Sequence, residues 1–472
     1  METFFEFAII ILGLGFGVDL LKKRFFGGGG SGSSDPTLDP NFIRGAAVSS
    51  FRKVVSEGAL CIAGHEIPEI EVPRHVIVSG TTGSGKSQAI QGWISGIFDR
   101  LSYGGKAILT DSGEAMMSRF GSENDLILNV FDARTRRWNP FNEVLVPELD
   151  IPRICESIVT DRQGEEGRWA GRARNLLIDY MTVSFAKGRT SPREAVRVIT
   201  SADTSELKSI LSGTPSEAIT SKENSEFFGS IQGVLAESIR YWRYLEDDGT
   251  FSLRDWIKSE QGSVLWLTYS DESIATMRYL VSCWVDILIT EILSGQEADR
   301  LKFFLICDEL DSLGRIPTLA NALTRGRKYG LSALAAIQSI AQLRSTYGKD
   351  PSQTLLSCYV SKLILQQGSF EDAKYWSDEL GQAEIIRPEE SESENSGSTS
   401  SKTKFFEGSR QSGTSKSTNF RRVVEQIVLP SELQNLKPLS GYLKIGSDPV
   451  TKYVSIPYKR INQKIEPFIP KN

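Results

Sequence analysis

Residues Gly80 to Ser87 read GTTGSGKS, a full match to Gly, four residues, Gly-Lys and a hydroxyl residue. These residue types answer to phosphate chemistry. Glycines at 80, 83 and 85 let the segment Gly80, Thr81, Thr82, Gly83, Ser84, Gly85 curl its backbone N–H groups around phosphate oxygens. Lys86 then reaches the β- and γ-phosphates, and the Ser87 hydroxyl ligates Mg2+. Upstream, HVIVSG (75–80) is a continuous apolar run, as expected of a buried parallel strand. Downstream, QAIQGWISGIFDRL has helical spacing, so a helix N-terminus adds its dipole to the site. A strand before and a helix after are the context a phosphate loop requires, and ATP with Mg2+ is the expected cofactor pair.

Further along the chain, FFLICDE (303–309) is an apolar strand ending in two acids. Asp308 is expected to hold the Mg2+ shared with Ser87, through water, and Glu309 to polarise the attacking water. Two adjacent acids point to hydrolysis coupled to motion rather than to a switch. Gln338, at the end of LSALAAIQS (331–339), follows on the next strand and suits a sensor of the γ-phosphate; a plain buried or surface amide is the alternative. Arg325 and Arg327 lie in LTRGRKYG before that strand. One of them would serve as a finger reaching a neighbouring subunit's phosphate, unless this is a solvated basic turn. Asp111 and Glu114 occupy the same sheet edge, where a structural helix cap is as good a reading as any catalytic one.

The runs at 75–80, 106–111, 125–132, 263–269, 303–309, 331–339 and 361–367 alternate with helical patterns, which predicts a mainly parallel α/β sheet covered on both faces. Lys86 and Asp308 stand 222 residues apart. That gap exceeds what a minimal core of this type needs, and the helical texture of 146–250 predicts an inserted all-α domain. The nucleotide-binding domain is then split into 40–145 and 251–472. Within the insert, Arg168, Trp169, Arg172 and Arg174 interleave charge with an aromatic ring, as a surface gripping a nucleic-acid strand would; an amphipathic helix with a packed tryptophan is the rival.

Bulk composition narrows the chemistry. Two histidines, His65 and His75, leave almost no material for histidine metal sites or Ser-His-Asp catalysis. Five scattered cysteines without C-x-x-C spacing suggest reduced thiols. The net charge of −5 means that any DNA contact must come from locally gathered basic residues. Residues 1–26 hold an apolar stretch followed by Lys22, Lys23 and Arg24, which predicts a transmembrane anchor with the rest of the chain in the cytoplasm. The GGGGSGSS run opens a Gly/Ser linker, 27–39, with an end-to-end reach of about 15 Å over those eight residues. Residues 391–418 are Ser/Thr/Gly-rich and read as a flexible surface loop.

Taken together, GTTGSGKS, LTDSGEAM, NVFDARTRRWNPFNE, LICDEL, the block ALTRGRKYGLSALAAIQSIAQLRSTYG and LPSELQNLKPLSGYLKI resemble the TraD/TrwB-type coupling proteins of conjugative type IV secretion. The likeness runs in consistent order from about residue 70 to 455. It implies a RecA-like P-loop fold, an inner-membrane anchor, and a hexameric ring with a central DNA channel. It further implies an ATP-driven DNA translocase that passes a relaxase-bound strand from the relaxosome to the type IV secretion channel. Within the resemblance, Arg327 rather than Arg325 corresponds to the finger, and Trp169 would face the channel. A motor for protein effectors, or an FtsK/HerA-like DNA pump, remains an alternative.

Overall fold

Short runs of consecutive apolar residues without alternation suit strands of a sheet covered on both faces. The structure, a computed structural model, describes residues 44–49, 56, 58–161, 164–201, 204–220, 225–396 and 412–471. It forms two compact units. The larger comprises Arg52–Gly368, Leu436–Ser447 and Val454–Asn472, and the smaller Met1–Phe51, Ser369–Asn435 and Asp448–Tyr453. The expected anchor and linker lie outside the described residues. Among the described residues no helix is long and apolar enough to cross a membrane.

In the larger unit the apolar runs become β1 (Val76–Ser79), β2 (Lys106–Ser112), β3 (Leu126–Leu128), β4 (Ser263–Tyr269), β5 (Phe303–Cys307), β6 (Leu331–Ile337) and β7 (Ser361–Ile364), joined by β8 (Ser440–Lys444). Across the sheet they run β8-β7-β1-β6-β5-β2-β4-β3. Only β7 and β8 pair antiparallel; the ladders from β7 to β3 are parallel. This is the mainly parallel α/β sheet expected from the sequence. The helix Lys86–Leu101 packs Ala89, Ile90, Trp93, Ile94 and Ile97 into the core with Val76, Val78, Trp266, Phe304 and Leu334. A buried side chain of that size contributes about 1.5–3 kcal/mol, so this face is the main anchor of the phosphate loop.

Between β3 and β4 the described residues form helices and no strand. The helices are Pro147–Ile158, Gly164–Ala186, Pro192–Ser201, Thr204–Ile210, Ser225–Ile239 and Leu253–Lys258. Polar networks hold this segment together and tie it to the helix Ile274–Ser294. The fully buried Glu143 carboxylate accepts from Trp138 Nε1, Leu253 N, Arg254 N and Ser252 Oγ. Arg254 forms ion pairs with both Asp150 and Glu291 at 2.7 Å. Asp286, inside the core helix Ile274–Ser294, accepts from Ser157 Oγ and from both N and Oγ1 of Thr318. A buried carboxylate with several donors is retained because removing it would leave each donor unpaired.

The smaller unit corrects one expectation. Part of the segment read as a loop over 391–418 is strand: Gln382–Ser396 and Ser412–Gln426 pair antiparallel in register from Gln382↔Gln426 to Ser396↔Ser412. The composition lacks apolar residues, but a hairpin ladder satisfies backbone N–H and C=O groups whatever the side chains are. Its base is fastened by the helix Phe370–Leu380, whose Ser377 Oγ donates to Val428 O at 2.5 Å.

Candidate nucleotide site

Parallel register decides where the site lies. Ile337 pairs with Ser79, Ala335 with Cys307, and Thr110 with Cys307. The residues that follow these strands therefore emerge at one edge: the phosphate loop after β1, Asp308 and Glu309 after β5, Gln338 after β6, and the end of β2. They line one cavity of about 480 Å³ with Lys86, Ser87 and Gln338 on its walls. That volume is ample for a nucleoside triphosphate.

The loop itself is shaped by backbone. Gly83 has φ +78° and Gly85 φ +111°, in the region where a side chain would be strained. A Cβ on Gly85 would also sit 2.8 Å from Leu439 Cδ2. Leu439 is held in the left-handed region too, at φ +61°, and its N–H donates to Ser84 O at 2.9 Å. Sequence reading missed this clamp, because nothing local marks a leucine for that conformation.

Lys86 Nζ donates to Gly80 O at 2.7 Å and Thr81 O at 3.4 Å. Burial lowers its pKa, while the charges of Asp311, Glu309 and Asp308 push it back up. Asp308 is buried and held from two sides: Ser112 N and Oγ both donate to Oδ2 at 2.9 Å, and Thr110 Oγ1 to Oδ1 at 3.3 Å. Burial raises its carboxyl above the usual range despite these bonds. Glu309 is raised as well, first by burial and then by the Asp311 charge.

Gln338 joins the two motifs. Thr82 Oγ1 donates to Gln338 Oε1 at 3.0 Å, and Gln338 Nε2 donates to Glu309 Oε1. One amide thus spans from the phosphate loop to the second acid. Its backbone is fixed by Asp311, whose Oδ2 accepts from Gln338 N at 2.9 Å and Ser339 N at 3.1 Å. Asp311, third acid of the DELD run, was visible in the sequence but was not singled out.

Other residues fall elsewhere. Asp111 accepts from Met116 N and Met117 N, capping the helix Ala115–Phe120. Glu114 is buried at φ +60° and accepts from Asn129 Nδ2; burial raises its pKa to about 7. Arg325 and Arg327 are exposed ahead of β6, at the edge opposite Gln338. Seven strand residues separate them from that amide, about 20 Å of rise, so neither reaches the cavity of its own chain. Arg327 instead borders a second hollow of about 600 Å³ with Glu69, Arg100 and Arg300. In the helical segment, Trp169 packs against Phe227 with ring centroids 5.1 Å apart and planes tilted by 59°, and the exposed Arg172 guanidinium lies 4.3 Å over the Phe227 ring. Arg168 is exposed beside them.

The chain matches the family described as type IV secretion-system coupling protein DNA-binding domain over residues 59–456. It is similar to the coupling protein TraD of Escherichia coli (strain K12), with 25% identity over 403 residues, 83% of this chain and 54% of TraD. The chain thus spans about half the length of that relative. Among solved structures it is similar to the plasmid coupling protein TrwB in complex with ADP and Mg2+: 29% identity, TM-score 0.78, 91% of this chain and 97% of that one. It is also similar to TrwB with the non-hydrolysable ATP analogue ADPNP: 29% identity, TM-score 0.79, 94% and 99% covered.

Proposed function

The chain belongs to the type IV secretion-system coupling protein family, and from that premise we propose that it is an ATPase that drives DNA toward a type IV secretion channel. The observation that carries this reading is the Gln338 amide bridging Thr82 of the phosphate loop and Glu309 at the wall of one cavity. A scaffold that only bound nucleotide would have no need to tie a second acid to the loop that holds phosphate.

The residues fit MgATP. The left-handed glycines leave an open backbone cradle, with nothing within 4 Å of a Cβ at Gly83, and Lys86 and Ser87 line the same space. Among the described residues no group of three or more acidic, histidine or cysteine side chains forms a metal cage. Ser87 and, through water, Asp308 would hold the cation that accompanies the phosphates. Bound MgATP supplies the phosphoanhydride to be cleaved and the cation that offsets its charge. Lys86 neutralises phosphate oxygens. Asp308, pinned by Thr110 and Ser112, would hold the cation through water. Glu309, whose Oε1 accepts from Gln338 Nε2, would orient the attacking water and draw its proton, and Gln338 would register whether a γ-phosphate is present. Arg327 acts on the site of a neighbouring chain, which requires a ring, with six subunits as the family resemblance implies.

On the same reading the segment 146–250 is a separate all-α domain between the two halves of the nucleotide-binding domain, with Arg168, Trp169 and Arg172 offered to DNA. The exposed guanidinium groups suit phosphates; the packing of Trp169 on Phe227 makes that pair a rigid platform rather than a free stacking ring. The N-terminal residues 1–26 anchor the ring in the inner membrane, and relaxosome proteins and channel components are its partners.

The decisive assay is ATP turnover by the assembled protein with and without single-stranded and duplex DNA. Stimulation by DNA that falls steeply as salt rises, as counterion release requires, is expected. Turnover that DNA leaves unchanged at low salt, but that a secreted protein raises, would transfer the reading to an effector motor.

A further inference from the structure

The last residue of β2 grips Asp308, through both Ser112 N and Ser112 Oγ. The chain leaves that strand by an unusual turn. Gly113 at φ +80° and Glu114 at φ +60° are both left-handed, and the helix Ala115–Phe120 follows at once. Glycine takes that conformation freely, whereas a glutamate is driven out of it by its own Cβ. Glu114 is 7% exposed, and its side chain is held where it is: Oε1 accepts from Asn129 Nδ2 at 3.2 Å. Asn129 is fixed in turn. It donates to Thr268 Oγ1 on β4 at 3.2 Å, and its Oδ1 accepts from Phe131 N at 3.1 Å. The glycine half of the turn is tied to the sheet, where Gly113 N donates to Tyr269 O at 2.7 Å.

Neither the helix nor the cavity explains this glutamate. Asp111 already caps the helix at Met116 N and Met117 N, and Glu114 is not one of the residues lining the cavity. A glycine at 114 would spare the fold both the backbone strain and the burial of a carboxyl group. What glutamate adds is one shape for the turn, because its bond to Asn129 selects the left-handed form. Asp111 and the helix it caps stand on either side of this turn, so a change in its shape falls on Ser112 between them. We propose that Glu114 is a positioning residue, whose bond to Asn129 holds the turn that keeps Ser112 on Asp308. The inference rests on the nucleotide reading of the site and adds a residue outside the cavity on which its affinity for Mg2+ depends. An alanine at 114 keeps the Cβ strain without the bond, so the turn relaxes and Asp308 loses two donors at once. A glycine loses bond and strain together, so the turn persists. Glutamine keeps an acceptor for Asn129.

The test is binding of a fluorescent, non-hydrolysable ATP analogue to the full chain, titrated with Mg2+ and repeated in EDTA. Glu114→Ala is expected to need about tenfold more Mg2+ for half-maximal binding, the factor that left-handed strain at one residue commands. Glu114→Gln and Glu114→Gly stay within about threefold of the unmutated protein. Asn129→Asp, the same shape without the donor, gives the increase seen in Glu114→Ala and supplies the reading should that variant not fold. Affinity for the analogue in EDTA is the same in every variant, which a general collapse of the site would not allow. A Mg2+ requirement unmoved in Glu114→Ala or in Asn129→Asp overturns the proposal. So does a Glu114→Gly as impaired as Glu114→Ala, since the carboxyl group and not the turn would then be the working part. A loss of affinity in EDTA equal to that in Mg2+ also overturns it, by reducing Glu114 to a residue of the fold. Analogue binding by the unmutated protein that ignores Mg2+, or fails altogether, refutes the nucleotide reading itself, which is a different result.

Discussion

Replacing Gln338 with glutamate changes one donor into an acceptor while leaving the side chain's length and shape intact. In the structure Gln338 Nε2 donates to Glu309 Oε1, a bond that holds the Glu309 pKa down against burial and the Asp311 charge. In Gln338→Glu that donor becomes a second carboxylate facing the first. Two unit charges ~4 Å apart at an effective dielectric of ~20 repel by about 4 kcal/mol. Glu309 is only half-buried, so solvent screening leaves about half of this, ~2 kcal/mol or ~1.5 pH units. The pair then titrates jointly, with its upper apparent pKa displaced by that amount. The assay is the pH–rate profile of ATP hydrolysis under saturating nucleotide, whose acid limb reports the group that must be deprotonated to accept a proton from water. Relative to the unmutated protein the limb moves up by ~1.5 units in Gln338→Glu. It moves less in Gln338→Ala, which loses the hydrogen bond without adding charge, and there kcat falls about 100-fold because Glu309 is no longer held in place. An acid limb that stays put in Gln338→Glu, or a kcat in Gln338→Ala within about threefold of the unmutated protein, refutes the assignment of Glu309 and Gln338 as one working pair.

Two further outcomes are expected. Lys86→Ala abolishes turnover, and mixing Lys86→Ala subunits with inactive Arg327→Ala subunits restores part of it, because each chain supplies what the other lacks; no recovery in rings shown to be mixed would rule out a finger acting between chains. His75 is buried with Nδ1 accepting from Ala333 N at 3.0 Å and Nε2 donating to Leu323 O at 2.9 Å, and burial lowers its pKa from 6.5 to about 4. Since the folded value lies below the unfolded one, the unfolded chain binds the extra proton, and stability is full above pH 6.5 and is lost as pH falls toward 4, by up to ~3 kcal/mol. Urea melts of the unmutated protein and His75→Gln between pH 4 and 7 should show the difference in stability shrinking by about that amount toward acid; parallel curves would mean that the imidazole does not titrate there.

Local chemistry was legible in the sequence and long-range geometry was not. The phosphate loop, its flanking strand and helix, and the Asp308–Glu309 pair are contiguous, so residue type and period reveal them directly. Gln338 was also within reach, because in a parallel sheet the residue after a neighbouring strand must emerge at the same edge. The grip of Thr110 and Ser112 on Asp308 depends instead on the β2–β5 register, across almost two hundred residues. Leu439 comes from the far end of the chain and meets the loop just ahead of β8, which pairs with β7. The residues around Trp169 left a strand-gripping ring and a packed one equally open, because its partner Phe227 lies on another helix. The hairpin of the smaller unit was misread because composition reports on side chains, while the ladder that forms it is made by the backbone.

Strand β6 carries a functional candidate at each end, Gln338 at one sheet edge and Arg327 just ahead of the other. This strand is paired on both sides, to β1 and β5. On the proposed reading, that strand links Gln338 at one edge to the arginine-bearing turn some 20 Å away. That turn is not free either. It follows the helix Leu319–Arg325, whose preceding residue Thr318 is bonded to Asp286, and Asp286 also holds Ser157 in the helical segment. On the proposed reading, one carboxylate thus joins the arginine turn that serves a neighbour's nucleotide to the helices offered to DNA, and a push at either is felt at the other. The motion need not be large, since a packed core has discrete arrangements rather than a continuum of them.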